Sequence, residues 1–169
     1  MITIREVRKE DTGKIREIYA PYIMNTAITF RDELSDFEEN KNEIAKLSES
    51  HAYVVAQEDD EILGYAYAAP IRSQAAYSHS VETSIYLKEE AKGKNIGRKL
   101  YEKLYELLKS KGYSNLYAVI AVSDKPDKYL PEGSVAFHKA MGFETVGKLN
   151  DCGKKFGHVY SVVWMEKII

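Results

Sequence analysis

Several features that define other classes of protein are scarce in this sequence of 169 residues. A single cysteine, Cys152, excludes an intrachain disulfide, and no motif around it indicates a reactive thiol. No apolar run approaches the length needed to cross a membrane, and the N-terminal segment MITIREVRKED lacks the apolar core of a signal peptide. The expected location is therefore the cytoplasm.

An excess of charge of one sign is missing as well. The 24 Lys and Arg residues nearly balance the 26 Asp and Glu residues. This balance argues against a general role in binding nucleic acid or membrane surfaces, so any basic site must be local. Because the sequence has no internal repeat, low-complexity tract or linker, residues 1–169 are expected to form one domain.

The most informative stretch runs from Val81 to Leu108. Residues 81–87 (VETSIYL) are rich in β-branched and aromatic side chains and predict a strand. Residues 88–95 predict a turn, because they contain three lysines and a glycine. Residues 96–108 carry apolar side chains three or four positions apart, which predicts an amphipathic helix.

A basic turn at the start of a helix is a candidate site for phosphate. The first backbone N–H groups of a helix have no intrahelical partner, and the helix dipole favours negative charge there. Gly93 and Gly97 would let a ligand approach the backbone, and Glu82 lies on the strand just upstream. The alternative is an ordinary strand–helix connection, which is common in α/β proteins.

The remaining chain alternates between strand and helix patterns. Strands are expected at 2–7, 53–56, 62–69, 116–122, 143–150 and 158–166, and helices are expected to begin near residues 12, 35 and 134. This order, β-α-α-β-β-β-α-β-α-β-β, predicts an α/β fold with a mixed sheet.

Some local expectations are more specific. Ser35 and Glu38 predict a capping box at the start of the second helix. The apolar run at 116–122 predicts a strand buried on both faces. Residues 152–157, which include Lys154 and Lys155, predict a solvated turn.

The element order resembles the GNAT N-acetyltransferase family over nearly the whole chain. Within that family the sequence is similar to the phosphinothricin / methionine sulfone–sulfoximine acetyltransferase branch, and residues 18–30, 64–86 and 134–143 carry the similarity. The resemblance implies a mixed, mostly antiparallel central sheet flanked by helices. It also suggests a homodimer.

Acetyl-CoA is the co-substrate that the resemblance implies. The family signature Gln/Arg-x-x-Gly-x-Gly/Ala falls on residues 92–97, where Lys92 replaces Gln/Arg and Asn95 replaces the first glycine. Asparagine tolerates positive φ better than most residues, so the loop is expected to keep its shape. The resemblance assigns cofactor contacts to Ile85, Tyr86, Leu87, Lys92, Gly93, Lys94, Asn95, Ile96, Gly97, Arg98 and Ser134.

A second departure from the family pattern concerns Pro131. The family usually has an asparagine at this position, and the loop around it is longer here. A contact to the pantetheine arm is therefore either lost or supplied by another residue, such as Ser123 or Asp124.

Two residues are expected to act in catalysis. Acetyl transfer needs a deprotonated amine and a stabilised leaving thiolate. The resemblance implies that Glu82 is the general base, and burial can raise the pKa of such a carboxyl group toward neutrality. It places His138 near the sulfur, as a proton donor to the thiolate or a hydrogen-bond partner of CoA. The alternatives are that Glu82 faces solvent or pairs with Arg72, and that His138 is structural.

Three residues are expected to bind the acceptor. Arg72 resembles the contact to a substrate carboxylate or phosphinate, for which the guanidinium geometry is suited. Phe30 and Tyr77 would form an apolar wall around a small side chain. A surface ion pair for Arg72 and ordinary packing for the two aromatic residues are the alternatives.

The sequence thus predicts an acetyl-CoA-dependent N-acetyltransferase whose acceptor amine attacks the thioester directly, without a metal. The expected acceptors resemble phosphinothricin, methionine sulfoximine or methionine sulfone. Two alternatives stay open: another amine, such as a polyamine, an aminoglycoside or a protein N-terminus, or a regulatory module that binds acyl-CoA without turnover.

Overall fold

A computed structural model describes all 169 residues, and its centre is one seven-stranded sheet. The strands are β1 (Ile2–Glu6), β2 (Ala52–Glu58), β3 (Glu61–Pro70), β4 (Ser80–Leu87), β5 (Asn115–Val122), β6 (Glu144–Lys155) and β7 (His158–Ile168). The helices are α1 (Thr12–Asn25), α2 (Phe37–Ser50), α3 (Ile96–Ser110) and α4 (Ser134–Ala140), with short 3-10 helices at Lys9–Asp11, Ala75–Tyr77 and Glu89–Ala91.

The strands lie in the order β1-β2-β3-β4-β5-β7-β6. All neighbours are antiparallel except β4 and β5, which are parallel. The predicted fold class, a mixed and mostly antiparallel sheet flanked by helices, is confirmed. None of the helices is both long and apolar enough to span a membrane.

Each face of the sheet is covered by helices because the strand side chains alternate between the two faces. The α3 residues Leu100, Leu104 and Leu108 are fully buried against one face, and each contributes about 1.5–3 kcal/mol of hydrophobic stabilisation. On the other face, Ile15 of α1 and Ile44 of α2 pack against a tyrosine-rich layer from β2 and β3.

The sheet opens between β4 and β5. Only three residue pairs are in register, and the last of them is Glu82 with Tyr117. Both strands continue for five residues beyond this pair, but they are no longer paired with each other. The gap that results exposes one backbone edge of β4.

Three local expectations were wrong. The cap of α2 is Asp36 and not Ser35, because the Asp36 Oδ1 accepts hydrogen bonds from the N–H groups of Glu38 and Glu39 at 2.9 and 3.4 Å. β5 is buried on one face only, since its residues alternate between buried and partly exposed. The last turn is shorter than expected, because β6 continues to Lys155.

Lys155 itself is buried rather than solvated. Its residue is only 5% exposed, and its Nζ donates a hydrogen bond of 2.8 Å to the Thr29 carbonyl in the loop between α1 and α2. Burial lowers the pKa of Lys155. This lysine therefore fixes the loop at residues 26–36, which forms irregular bends and no strand, against the end of β6.

Candidate active site

The gap between β4 and β5 provides backbone groups that a ligand can use. The Lys88 N–H donates to the Leu63 carbonyl at 2.9 Å, which fixes the alternation of hydrogen bonds between β3 and β4. It follows that Tyr86 directs its backbone groups toward β3, whereas Ile85 and Leu87 direct theirs toward the gap. The Tyr22 hydroxyl donates to the Leu87 carbonyl at 2.6 Å, so Ile85 keeps the freer backbone groups.

A groove of about 600 Å³ continues from this gap toward the start of α3. Nine of the eleven residues expected to contact the cofactor line it: Ile85, Leu87, Lys92, Gly93, Asn95, Ile96, Gly97, Arg98 and Ser134. Tyr86 and Lys94 are not among its lining residues. Pro131, Glu132 and Gly133 form part of the opposite wall.

The turn before α3 contains two residues with a positive φ. Asn95 is the N-cap of α3 and is left-handed, with φ 62° and ψ 13°, and Gly93 also has a positive φ of 74°. Gly97 permits a close approach of α3 and α4, because a Cβ atom there would lie 3.1 Å from the Phe137 ring. Asn95 thus adopts the left-handed conformation that asparagine tolerates. Lys92 and Arg98 are the basic residues that line the groove, and the Nζ of Lys92 pairs with Glu89 at 2.6 Å.

Glu82 lies where β4 and β5 separate. Its side chain is on the sheet face of α1 and α2, since its neighbours Val81 and Thr83 are buried on the opposite face. The residue is partly exposed, and no cation lies within 4.0 Å of its carboxylate. Burial raises the pKa of Glu82, and the charge of Arg72 partly offsets that rise. A carboxyl group with a raised pKa is suited to accept a proton near neutral pH.

The three residues expected to bind the acceptor are all exposed. Arg72 forms no ion pair, and its Nη1 donates only to the Ile71 carbonyl at 3.0 Å. Phe30 is 37% exposed and packs over Gly153, where a Cβ atom would clash with its ring. Tyr77 is 45% exposed in the 3-10 helix between β3 and β4. Arg72 thus has no charged partner within the chain.

His138 is buried and both of its ring nitrogens are engaged. Its Nδ1 donates to the Ser134 carbonyl at 2.7 Å, and its Nε2 lies 2.8 Å from the Tyr101 hydroxyl. Burial lowers the pKa of His138, so Nε2 accepts the Tyr101 proton. The hydroxyl of Tyr101 is also 3.4 Å from the Oγ1 of Thr83 on β4. His138 and Tyr101 both line a cavity between β4 and β5.

Tyr101 was missed by the sequence analysis. It occupies a core position of α3, where the sequence pattern predicts only that the tyrosine packs in the hydrophobic core. The only sequence feature that points to Tyr101 is its spacing of four residues from Gly97. This spacing places the two residues on the same face of α3, one turn apart.

The comparisons with known proteins agree with this geometry. The family described as "Acetyltransferase (GNAT) domain" matches residues 4–164. The chain therefore belongs to the GNAT acetyltransferase family.

Individual relatives are named for activities on small amino-acid-like amines. The sequence is 34% identical to a phosphinothricin N-acetyltransferase of Streptomyces coelicolor, covering 98% of this chain and 95% of that protein. It is 27% identical to an L-methionine sulfoximine/L-methionine sulfone acetyltransferase of Salmonella typhimurium, covering 98% and 93%. A phosphinothricin acetyltransferase structure from Sinorhizobium meliloti, in complex with acetyl-CoA, is 31% identical and superposes with a TM-score of 0.88 over 99% of this chain and 88% of that one.

These findings confirm the predicted family, the enzyme class of N-acetyltransferase and acetyl-CoA as the co-substrate. The roles of individual residues and the homodimer stay predictions. No group of three or more His, Cys, Asp or Glu residues is arranged to hold a metal ion.

The left-handed conformation of Asn95 leads to a first prediction. Because alanine pays about 1 kcal/mol to adopt this conformation, Asn95→Ala should destabilise the fold by about that amount and weaken binding of acetyl-CoA. Asn95→Gly is the matched control and should retain affinity. Urea unfolding and calorimetric titration with acetyl-CoA measure the two effects. Equal behaviour of both variants would show that the positive φ is not what position 95 contributes.

Proposed function

We propose that this acetyltransferase transfers the acetyl group of acetyl-CoA to the α-amine of a small amino acid or analogue, of the phosphinothricin, methionine sulfoximine or methionine sulfone type. The observation that carries the proposal is the position of Glu82. Glu82 lies where the gap between β4 and β5 begins, its carboxyl group has a raised pKa, and it has no ion-pair partner. The similarity to enzymes named for these acceptors supports the substrate class.

Glu82 takes a proton from the acceptor ammonium, directly or through a water molecule. The free amine then forms its bond to the thioester carbonyl carbon while the carbon–sulfur bond breaks and the CoA thiolate leaves. The nitrogen loses its second proton to solvent, which gives the neutral amide. Acetyl-CoA supplies the activated carbonyl for this step. The Ile85 N–H, which the strand pairing directs into the gap, is placed to polarise the carbonyl oxygen.

Tyr101 and His138 act together on the leaving thiolate. Because both nitrogens of His138 are engaged within the protein, its proton cannot reach the sulfur directly. Tyr101 lines the same cavity, and burial raises the pKa of its hydroxyl, so it remains protonated at neutral pH. The hydroxyl donates to Nε2 of His138 before the reaction, and it donates to sulfur once its O–H rotates from Nε2 toward the thiolate.

Arg72 binds the acceptor's acidic group. It has no carboxylate partner in the protein, and its positive charge lowers the pKa of Glu82. An acceptor held by Arg72 would therefore have its amine close to the base. Phe30 and Tyr77 flank the acceptor side chain with partly exposed rings.

A panel of amines tests the proposed function. Release of CoA thiol is followed with phosphinothricin, methionine sulfoximine, methionine sulfone, spermidine, an aminoglycoside and a peptide with a free N-terminus. We expect turnover with the amino-acid analogues and little with the others. Preferred acetylation of peptides or polyamines would overturn the substrate class. Binding of acetyl-CoA without thiol release from any amine would indicate a binding module.

Replacing the base gives a second test. Glu82→Gln should lower kcat/KM by roughly 100-fold near neutral pH, since general-base catalysis contributes about that much or more. In the native enzyme, activity should rise as pH increases through the raised pKa of Glu82, because only the carboxylate accepts a proton. The Glu82→Gln variant should lack this rise. Its activity should increase only at alkaline pH, where the acceptor amine is already deprotonated in solution. An unchanged pH–rate profile would remove Glu82 from the mechanism.

Two tyrosines of α3 form a matched pair for testing the thiolate partner. Tyr101→Phe removes the hydroxyl that contacts His138 and should lower kcat by roughly tenfold or more. Tyr105→Phe removes a buried hydroxyl that has no hydrogen-bond partner, so activity should be kept and stability unchanged or increased. Equal kcat values for the two variants would contradict a role of Tyr101 in the chemical step.

A further inference from the structure

The long loop between β5 and α4 is attached to β7 by one carboxylate. Asp127 accepts hydrogen bonds from the Tyr160 hydroxyl at 2.9 Å, from the Nδ1 of His158 at 2.6 Å and from the backbone N–H of Tyr129 at 2.8 Å. Its side chain is only 11% exposed. The hydrogen bond from His158 lowers the pKa of Asp127, which keeps the carboxylate ionised. All of these donors are therefore satisfied by a single residue of the loop.

Apolar contacts extend the attachment. Leu130 is buried in a small cluster with Ala27 and Tyr160, and its N–H donates to the Asp127 carbonyl at 3.2 Å. The Tyr129 ring lies 4.4 Å from the Phe156 ring at the turn between β6 and β7. Residues 127–130 thus have a defined position on the hairpin of β6 and β7.

The residues that follow directly form a wall of the cofactor groove. Pro131 to Ser134 line it opposite Ile85 and the turn before α3. Pro131 has no N–H group, and the hydrogen bonds of this segment contain no side-chain anchor between Leu130 and α4. The position of this wall consequently depends on the attachment of residues 127–130 just before it.

We propose that Asp127 is a positioning residue for acetyl-CoA: by binding Tyr160, His158 and the Tyr129 N–H, it holds the loop so that Pro131 to Ser134 close the groove. Asp127 does not line the groove itself, so its effect on the cofactor is transmitted by the loop. The same loop also accepts a hydrogen bond of 2.8 Å from the Ala27 N–H at its Tyr129 carbonyl, which joins it to the loop that carries Phe30.

Asp127→Ala tests the proposal by direct binding. Calorimetric titration with acetyl-CoA alone should show a dissociation constant raised by about tenfold, as expected when a charged hydrogen-bond acceptor is lost. The value of kcat at saturating acetyl-CoA should stay within about twofold, because the reacting groups are untouched. Glu144→Ala is the matched control: it removes an exposed carboxylate from β6 of the same hairpin that forms no ion pair, and it should bind normally.

Milder variants keep the test valid if Asp127→Ala fails to fold. Tyr160→Phe removes one donor, and Asp127→Asn keeps an oxygen acceptor for Tyr129 and Tyr160 but loses the charge toward His158. Each should weaken acetyl-CoA binding by a few-fold without lowering kcat. Normal affinity in all of the folded variants, or a fall in kcat with unchanged affinity, would overturn the proposal. Because binding is measured without an acceptor, the result does not depend on which amine the enzyme acetylates.

Discussion

The separation of β4 from β5 is the constraint on which the rest of the site depends. A strand inside a sheet has no spare backbone groups, so a ligand can pair with β4 only where its neighbour leaves it. The register ends at Glu82 and Tyr117, and this point sets three things at once. Ile85 gains backbone groups that face the gap, the cavity between the strands is lined by Tyr101 and His138, and Glu82 lies at the last paired position of β4.

The local patterns of the sequence were enough for most of the fold. The start of α1 and the order of all eleven main elements follow from periodicity and capping, and the left-handed conformation of Asn95 agrees with the preference of asparagine. What the sequence could not supply were contacts between distant segments. The sequence predicts a solvated Lys155, because the carbonyl that accepts its hydrogen bond belongs to Thr29, 126 residues away. For Tyr101 the sequence likewise predicts a core residue, but it does not show that its hydroxyl forms a hydrogen bond with His138. The small error at the α2 cap has a local cause, because Ser35 and Asp36 are both good capping residues.

The hairpin of β6 and β7 holds two loops in place. The loop at residues 26–36 is fixed to it by Lys155 and by the packing of Phe30 on Gly153, and the loop between β5 and α4 is fixed to it by Asp127. The two loops also contact each other through Ala27 and Tyr129. A longer loop around Pro131 is therefore not simply an insertion at the surface. It is attached to β7 through Asp127 and to the loop at residues 26–36 through the hydrogen bond from Ala27 to Tyr129.

The absence of an ion pair at Glu82 determines the direction in which the pKa of this carboxyl group is shifted. A close pair with Arg72 would favour the charged form, lower the pKa and make Glu82 a poor base, whereas burial alone disfavours the charged form. In the structure burial has the larger effect and Arg72 only moderates it, since the guanidinium does not lie within ion-pair distance. This spacing leaves Arg72 able to neutralise an acidic group of the acceptor.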